Sequence, residues 1–456
     1  MAAEAVARYV RYHMRRSLCL DIGHVVGAFV ARASLSGVCI RKTVLIAAVL
    51  PLAASAQTTY TWQQVKEKFA AANPALQAAR LGIDESRAAE ITAYLRPNPD
   101  FSLSADGLQV SRNFGVWRPF SGEVETPAFS YLHERQQKRE LRRDQAKEST
   151  AITESSYLDQ ERGLVFTLRS AFVQTLQAKA FLQNAQENLA YWDHELEIDR
   201  TRLKAGDIAQ IDLDRLELQR VQFESDYETA YVTLRTAKIT LLMLLNDRTP
   251  IEQFDVTGPY DFSEELRPLK EYREIALAAR PDLKVAMQNV DLAKITYKLT
   301  VANGSTDPTY SIWYSHNPSF SNAYANETMG ASVSIPLRIF DRNQGEKART
   351  QLDIGRNERL RDAAEAQVFN DVDSAYWTIV QNVNLLKPYK AKYLKLAADV
   401  RDRVQLAYRN GGASLLDYLD AEKAYRDTRL AYVNLIGSYL SAVAQMDMAA
   451  GREVVQ

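Results

Sequence analysis

Asn410-Gly411-Gly412-Ala413-Ser414-Leu415-Leu416-Asp417-Tyr418-Leu419-Asp420 interrupts an otherwise helical pattern near the end of the chain. A glycine pair of this kind ends one helix, because glycine enters the left-handed region freely. Asp417 and Asp420 then lie three apart, on one face of the next helix. The same arrangement occurs 205 residues earlier. Gly206 corresponds to Gly411, Asp212 to Asp417, Tyr227 to Tyr432 and Ala237 to Ala442. The stretch is therefore one of two copies of a helix–turn–helix tip, and a repeat of this length decides the fold.

Working outward from each tip gives the same series of elements twice. In the first copy a helix runs from Trp62 to about Leu95, capped by Thr61 and broken at Asn73-Pro74. Phe101, Leu103 and Ala105 alternate with Ser102, Ser104 and Asp106, the period of a strand with one polar face. Strands are expected at about 100–106 and 123–130. A helix without proline then runs from about His133 to Ala205, far longer than an ordinary globular helix. Within it Leu182, Ala185, Leu189, Trp192 and Leu196 repeat at 3-4-3-4, a coiled-coil seam. The second copy has a helix from about Leu269 to Ala302, strands at about 309–315 and 328–335, and a long helix at about 343–409. Its seam is Leu386, Tyr389, Tyr393, Leu396 and Val400, each 204 positions after its counterpart. The tips are 205 apart, so the second copy holds one extra residue, which the doubled glycine would supply. Pro388 is expected to kink the second long helix. The domains are 57–259 and 260–456, preceded by a leader of 1–56.

The leader reads as an export signal. Arg41-Lys42 is basic, Thr43–Leu52 is apolar and Ala54-Ser55-Ala56 is a cleavage site. Residues 1–40 read as an extension upstream of it. Residues 1–56 hold seven Lys/Arg and two Asp/Glu, so of the totals 56 and 57 the mature chain keeps 49 and 55, a net charge of −6. An acidic exported chain is not a nucleic-acid binder. Both cysteines, Cys19 and Cys39, precede the cleavage site, which leaves no disulfide, thiolate metal site or lipid-attachment cysteine in the mature protein. His133, His194 and His316 are scattered, and no metal-ligand spacing, P-loop, nucleophile elbow or dinucleotide fingerprint is present. The expectation is a protein that is not an enzyme and needs no cofactor.

Four strands cannot close a barrel, and open edges are untenable in lipid. Three chains would supply twelve strands, within the range of outer-membrane barrels. Phe101, Tyr310, Trp313 and Tyr314 suit an interfacial girdle. The chain resembles the TolC family of outer-membrane efflux proteins over residues 57–456. Gly411–Asp420 with Ala421-Glu422, Tyr425, Tyr432 and Tyr439 carry the resemblance most specifically. Ser332-Val333-Ser334-Ile335-Pro336-Leu337-Arg338-Ile339-Phe340-Asp341-Arg342-Asn343-Gln344-Gly345 is similar to the strand-to-helix junction of the heavy-metal-efflux subgroup.

The resemblance implies an α+β membrane protein: a homotrimer with a twelve-stranded β-barrel in the outer membrane and an α-helical coiled-coil tunnel in the periplasm. It implies a passive exit duct for small molecules or metal cations, with a periplasmic membrane-fusion adaptor and an inner-membrane pump of RND type as partners. It places Asp417 and Asp420 at the periplasmic mouth and gives Asp212 and Tyr408 as further gate residues. Gly206, Gly411 and Gly412 become the tips that meet the adaptor. Some members carry arginine where this chain has Ala413, so a lock that uses that arginine is missing. Asp417 and Asp420 also suit plain helix N-terminal acids. Two other functions fit the same organisation: a duct for secreted protein, and a periplasmic coiled-coil scaffold without a pore.

Overall fold

The computed structural model describes residues 58–112, 114–120, 122–317 and 326–455. The leader, with both cysteines, and most of the loop expected over His316–Asn326 lie outside the described residues. The chain begins with β1 (Thr58–Tyr60), α1 (Trp62–Ala72) and α2 (Pro74–Ala93), then β2 (Asp100–Asp106) and β3 (Val124–Leu132). It continues through α3 (Lys138–Ala205), α4 (Gln210–Leu244), β4 (Phe254–Val256), α5 (Leu269–Ala279) and α6 (Pro281–Asn303). Then follow β5 (Thr309–His316), β6 (Glu327–Ser334), α7 (Gln344–Pro388), a π turn (Tyr389–Tyr393), α8 (Leu394–Arg409) and α9 (Leu415–Ala450). Asn73 caps α2 by accepting from the Ala75 and Leu76 amides, with Pro74 as its first residue. Pro281 opens α6 in the same way, where its missing N–H costs nothing.

The 68 residues of α3 make a helix about 100 Å long. It starts at Lys138 and not near His133, because Gln136 and Gln137 hold left-handed φ values of 58° and 55°. Asn343, at φ 62°, does the same ahead of α7. Each strand-to-helix corner thus turns on left-handed residues that are not glycine, a conformation with a real backbone cost. At the second corner Asn343 offsets it by donating its side-chain amide to Thr300 O and its backbone N–H to Asp341.

The four long strands form one antiparallel sheet in the order β2-β3-β5-β6. Its register sorts the side chains by face. Phe101 pairs with Phe129, Phe129 with Ile312 and Ile312 with Ala331, while Tyr131 pairs with Tyr310 and Tyr310 with Val333. The other face carries Ser130, Ser311 and Ser332 in one row. The apolar face is the exposed one: along β5, Tyr310, Ile312 and Tyr314 are exposed while Ser311, Trp313 and Ser315 are half-buried. This inverts the rule for a sheet in water. Trp313 leaves the expected girdle. It has the opposite parity to Tyr310 and Tyr314, so it lies on the serine face, against Gly330. A Cβ at Gly330 would come within 2.4 Å of the indole, so only glycine fits opposite this tryptophan.

Below the sheet α3 packs against α2, α4, α6 and α9, and α7 against α6 and α9. One core joins Val65, Phe69, Leu168, Phe172, Leu241 and Phe254. Its counterpart joins Tyr272, Ala276, Val372, Ile379, Tyr439 and Met446.

The extra residue of the second copy is in the π turn, not at the tip. Leu386 is fully buried, but Tyr393, Leu396 and Val400 are exposed. Instead Leu394, Ala397, Arg401, Val404 and Tyr408 face inward, each 205 positions after Leu189, Trp192, Leu196, Asp199 and Leu203. The shift from 204 to 205 occurs across Tyr389–Tyr393. A π turn takes up one added residue without changing the face presented afterwards, and Pro388, which cannot donate to the helix ladder, stands at its start. Deleting Ala391 should therefore restore an unbroken α-helix and leave the assembled protein's melting temperature within a few degrees. Deleting Ala398 should turn the tip by about 100° and cost about 3 kcal/mol or more by unburying Tyr408. Thermal melts of the two deletions check this, and equal damage from both would contradict it.

Candidate functional site at the helix tips

Both tips close by the same hydrogen bonds. Gly206 N–H donates to Leu203 O and Asp207 N–H to Arg202 O; Gly411 N–H donates to Tyr408 O and Gly412 N–H to Ala407 O. Gly206 and Gly411 hold φ of 84° and 74°, the left-handed position of a Schellman cap. Gly412 is not left-handed, and a Cβ there would meet only ordinary contacts. The conformation therefore requires Gly206 and Gly411 but not Gly412.

The next helix begins with a capping box. Asp417 N–H donates to Ser414 Oγ at 3.1 Å, while Asp417 Oδ2 accepts from Ser414 N–H at 3.0 Å and from Ser414 Oγ–H at 2.6 Å. Those two bonds from Ser414 hold the Asp417 carboxyl below its usual range. Asp420, one turn on, is exposed with Asp417. Asp212, half-buried in the first turn of α4, is near enough to Tyr408 to help raise its hydroxyl, after burial and the Asp199 charge. The Tyr408 hydroxyl is shielded and has no hydrogen-bond partner among the described residues. The structure thus forms no hydrogen bond between Asp212 and Tyr408 and leaves Asp417 and Asp420 facing solvent on α9.

Behind the carboxylates, an aromatic core joins the first hairpin (α3, α4) to the second (α8, α9). Trp192, Leu196, Leu213, Leu216 and Phe223 meet Tyr408, Leu415 and Tyr418 there, with Ala413 packed at the edge. The rings of Tyr408 and Tyr418 stack at 5.3 Å and 5°, and Trp192 stacks on Phe223 at 5.2 Å.

Polar ties run through the same layer. Arg409 Nη2 donates to Glu195 at 2.5 Å, and the Glu195 side chain is only 5% exposed. Tyr191 and Tyr418 share a hydrogen bond at 3.0 Å, and Gln405 donates to Tyr191 at 2.7 Å. Asp199, on the inner face, accepts from Arg202, yet burial raises its pKa more than Arg202 lowers it. Burial likewise raises Glu422, with Tyr191 and Arg401 acting against it. Arg409 and Glu195 were absent from the expected site. Their signal was weak: Glu195 sits beside the seam, and Asp199 continues the seam three residues after Leu196 with a carboxylate. Among the described residues no group of three His, Cys, Asp or Glu side chains is placed to hold a metal ion.

Residues 273–452 match the family described as Outer membrane efflux protein. Over 263 residues the chain is 25% identical to the cobalt-zinc-cadmium resistance protein CzcC of Cupriavidus metallidurans, covering 55% of this chain and 59% of that protein. It is 22% identical to the outer membrane protein TolC of Vibrio cholerae over 325 residues, 68% of this chain and 72% of that one. The fold superposes on crystal-structure CusC with a TM-score of 0.73 at 17% identity, covering 86% of this chain and 92% of that one.

The capping box has a pH consequence. Asp417 is depressed in the folded chain, so its support for the start of α9 is present above the ordinary carboxylate range and is lost as pH falls through its lowered pKa. Hydrogen-exchange protection factors at Leu415–Leu419, each corrected for the intrinsic exchange rate at its pH, should be larger at pH 7 than at pH 3. Asp417→Asn should flatten that difference, and Ser414→Ala should cost about 1 kcal/mol. A pH dependence unchanged by Asp417→Asn would contradict the assignment.

Proposed function

We propose, for a chain that belongs to the TolC-like outer membrane efflux protein family, that three copies close their four-stranded sheets into a twelve-stranded barrel in the outer membrane. The paired long helices continue from it as a tunnel in the periplasm. One observation carries this reading: a sheet whose apolar side faces outward, uncovered, with serines on the other side. That is the pattern of a lipid-facing barrel wall with a polar lumen. Among the described residues no helix is long and apolar enough to cross a membrane.

In this reading the chain is a passive exit duct that joins a periplasmic adaptor and an inner-membrane pump, of RND type, to the exterior. The tips around Gly206 and Gly411 meet the adaptor, with Gly412 beside them. Asp417 and Asp420 from three copies form a ring of six carboxylates at the mouth, which draws cations in and narrows the passage. Asp212 and Tyr408 lie behind that ring. The relative with a cobalt-zinc-cadmium name favours metal cations as cargo. Ala413 removes one possible lock, and the Arg409–Glu195 pair between the hairpins takes its place. Glu195 is buried while Arg409 reaches solvent, so removing Arg409 leaves a buried carboxylate without its partner.

Planar-bilayer conductance of the purified protein tests the reading. The wild type should conduct weakly and be blocked by trivalent cations. Asp417→Ala with Asp420→Ala should raise conductance severalfold and relieve the block, and Arg409→Met should raise conductance while keeping the block. A protein that never conducts contradicts the duct. A block unchanged by the aspartate variants removes the carboxylates from the mouth.

A further inference from the structure

Three cavities, of about 310, 490 and 800 Å³, share two lining residues, Trp62 at the start of α1 and Arg169 on α3. The Arg169 guanidinium lies 4.4 Å over the Trp62 ring. Its Nε is shielded from solvent and makes no hydrogen bond, and among the described residues the side chain has no ion pair. A shielded arginine is normally matched by a carboxylate. Two acids are near, and both are engaged. Asp447 accepts the backbone N–H groups of Val454 at 2.7 Å and Val455 at 3.3 Å. Glu453 takes Lys66 at 2.9 Å and the Trp62 indole N–H at 3.3 Å.

The cavities around this cation differ in character. The middle one adds two further exposed cations, Arg267 and Arg452. The largest runs on from Trp62 and Arg169 along apolar walls that include Phe172, Leu176, Leu440 and Val443. Both sizes lie in the range that holds small molecules. A chamber whose three arginines outnumber its two carboxylates, Asp447 and Glu453, and which shares Trp62 and Arg169 with an apolar one, fits a ligand with an anionic head and an apolar tail. The arginine fork suits a carboxylate or a phosphate.

We propose that Trp62, Arg169, Arg267 and Arg452 bind a small anionic amphiphile, a carboxylate or phosphate monoester with an alkyl chain, head on the arginines and tail against Phe172 and Leu176. The site is remote in sequence from the tip carboxylates and goes beyond the duct reading.

The test uses the full-length assembled protein in lipid nanodiscs, with empty discs as background, titrated with dodecanoate, dodecyl phosphate, dodecanol and inorganic phosphate by calorimetry. Saturable binding is expected for dodecanoate, dodecyl phosphate or both, and the tighter of the two identifies the head group. Dodecanol and inorganic phosphate should each bind at least tenfold more weakly. Arg169→Met should weaken binding at least tenfold. The exposed pair Arg267→Gln with Arg452→Gln should weaken it severalfold, and this decides the matter if the Arg169 variant does not assemble. Binding of dodecanol as tight as dodecanoate, binding unchanged in these variants, or no saturable binding at millimolar amphiphile would overturn the proposal.

Discussion

Among the described residues, no strand pairs the backbone N–H and C=O groups on the outer edges of β2 and β6. In lipid each such group costs several kcal/mol, and the exposed side of the sheet is the apolar one. These two facts require each other's solution. A sheet that faces hydrocarbon has to close, and four strands close only with strands from further copies. The long helices leave the sheet at matched left-handed corners, Gln137 and Asn343.

Much of this was legible in the chain. The strands were marked by period-two alternation, and the tips by a glycine that ends a long helix with an acid at the same offset after it, Asp212 and Asp417. These are local signals, and local physics sets them. The misreadings came where the deciding information was not local. Trp313 was grouped with Tyr310 and Tyr314 by residue type, although parity puts it on the serine face opposite Gly330. The extra residue was placed at Gly411-Gly412 because a doubled glycine is conspicuous. A π turn leaves no composition of its own, and only Pro388 marked it. The inward shift to Leu394, Ala397 and Arg401 showed where the residue had gone.

The tip follows the same division. Asp417 was readable as an acid in the first turn of a helix, and its bonds with Ser414 fit that reading. The Arg409–Glu195 pair joins residues 214 apart, which no spacing rule could bring together. The tip therefore combines two kinds of restraint: a capping box that fixes where α9 starts, and an ion pair on the buried Glu195 carboxylate, with stacked tyrosines, that ties the hairpins together.

Closure of the sheet between copies is the claim on which the rest stands, and thiol cross-linking across the β2 and β6 edges tests it most directly. Cys19 and Cys39 are the cysteines of the sequence, so with both replaced by Ser, Ser102→Cys on β2 with Ser332→Cys on β6 introduces the only thiols. Within one chain two strands separate these edges, a span of about 14 Å at ordinary strand spacing, beyond the reach of a short thiol cross-linker of about 8 Å (a disulfide needs closer approach still). The account predicts a denaturing-gel ladder of one, two and three chains that stops at three. A product that stays at one chain, or a ladder that continues past three, would contradict it.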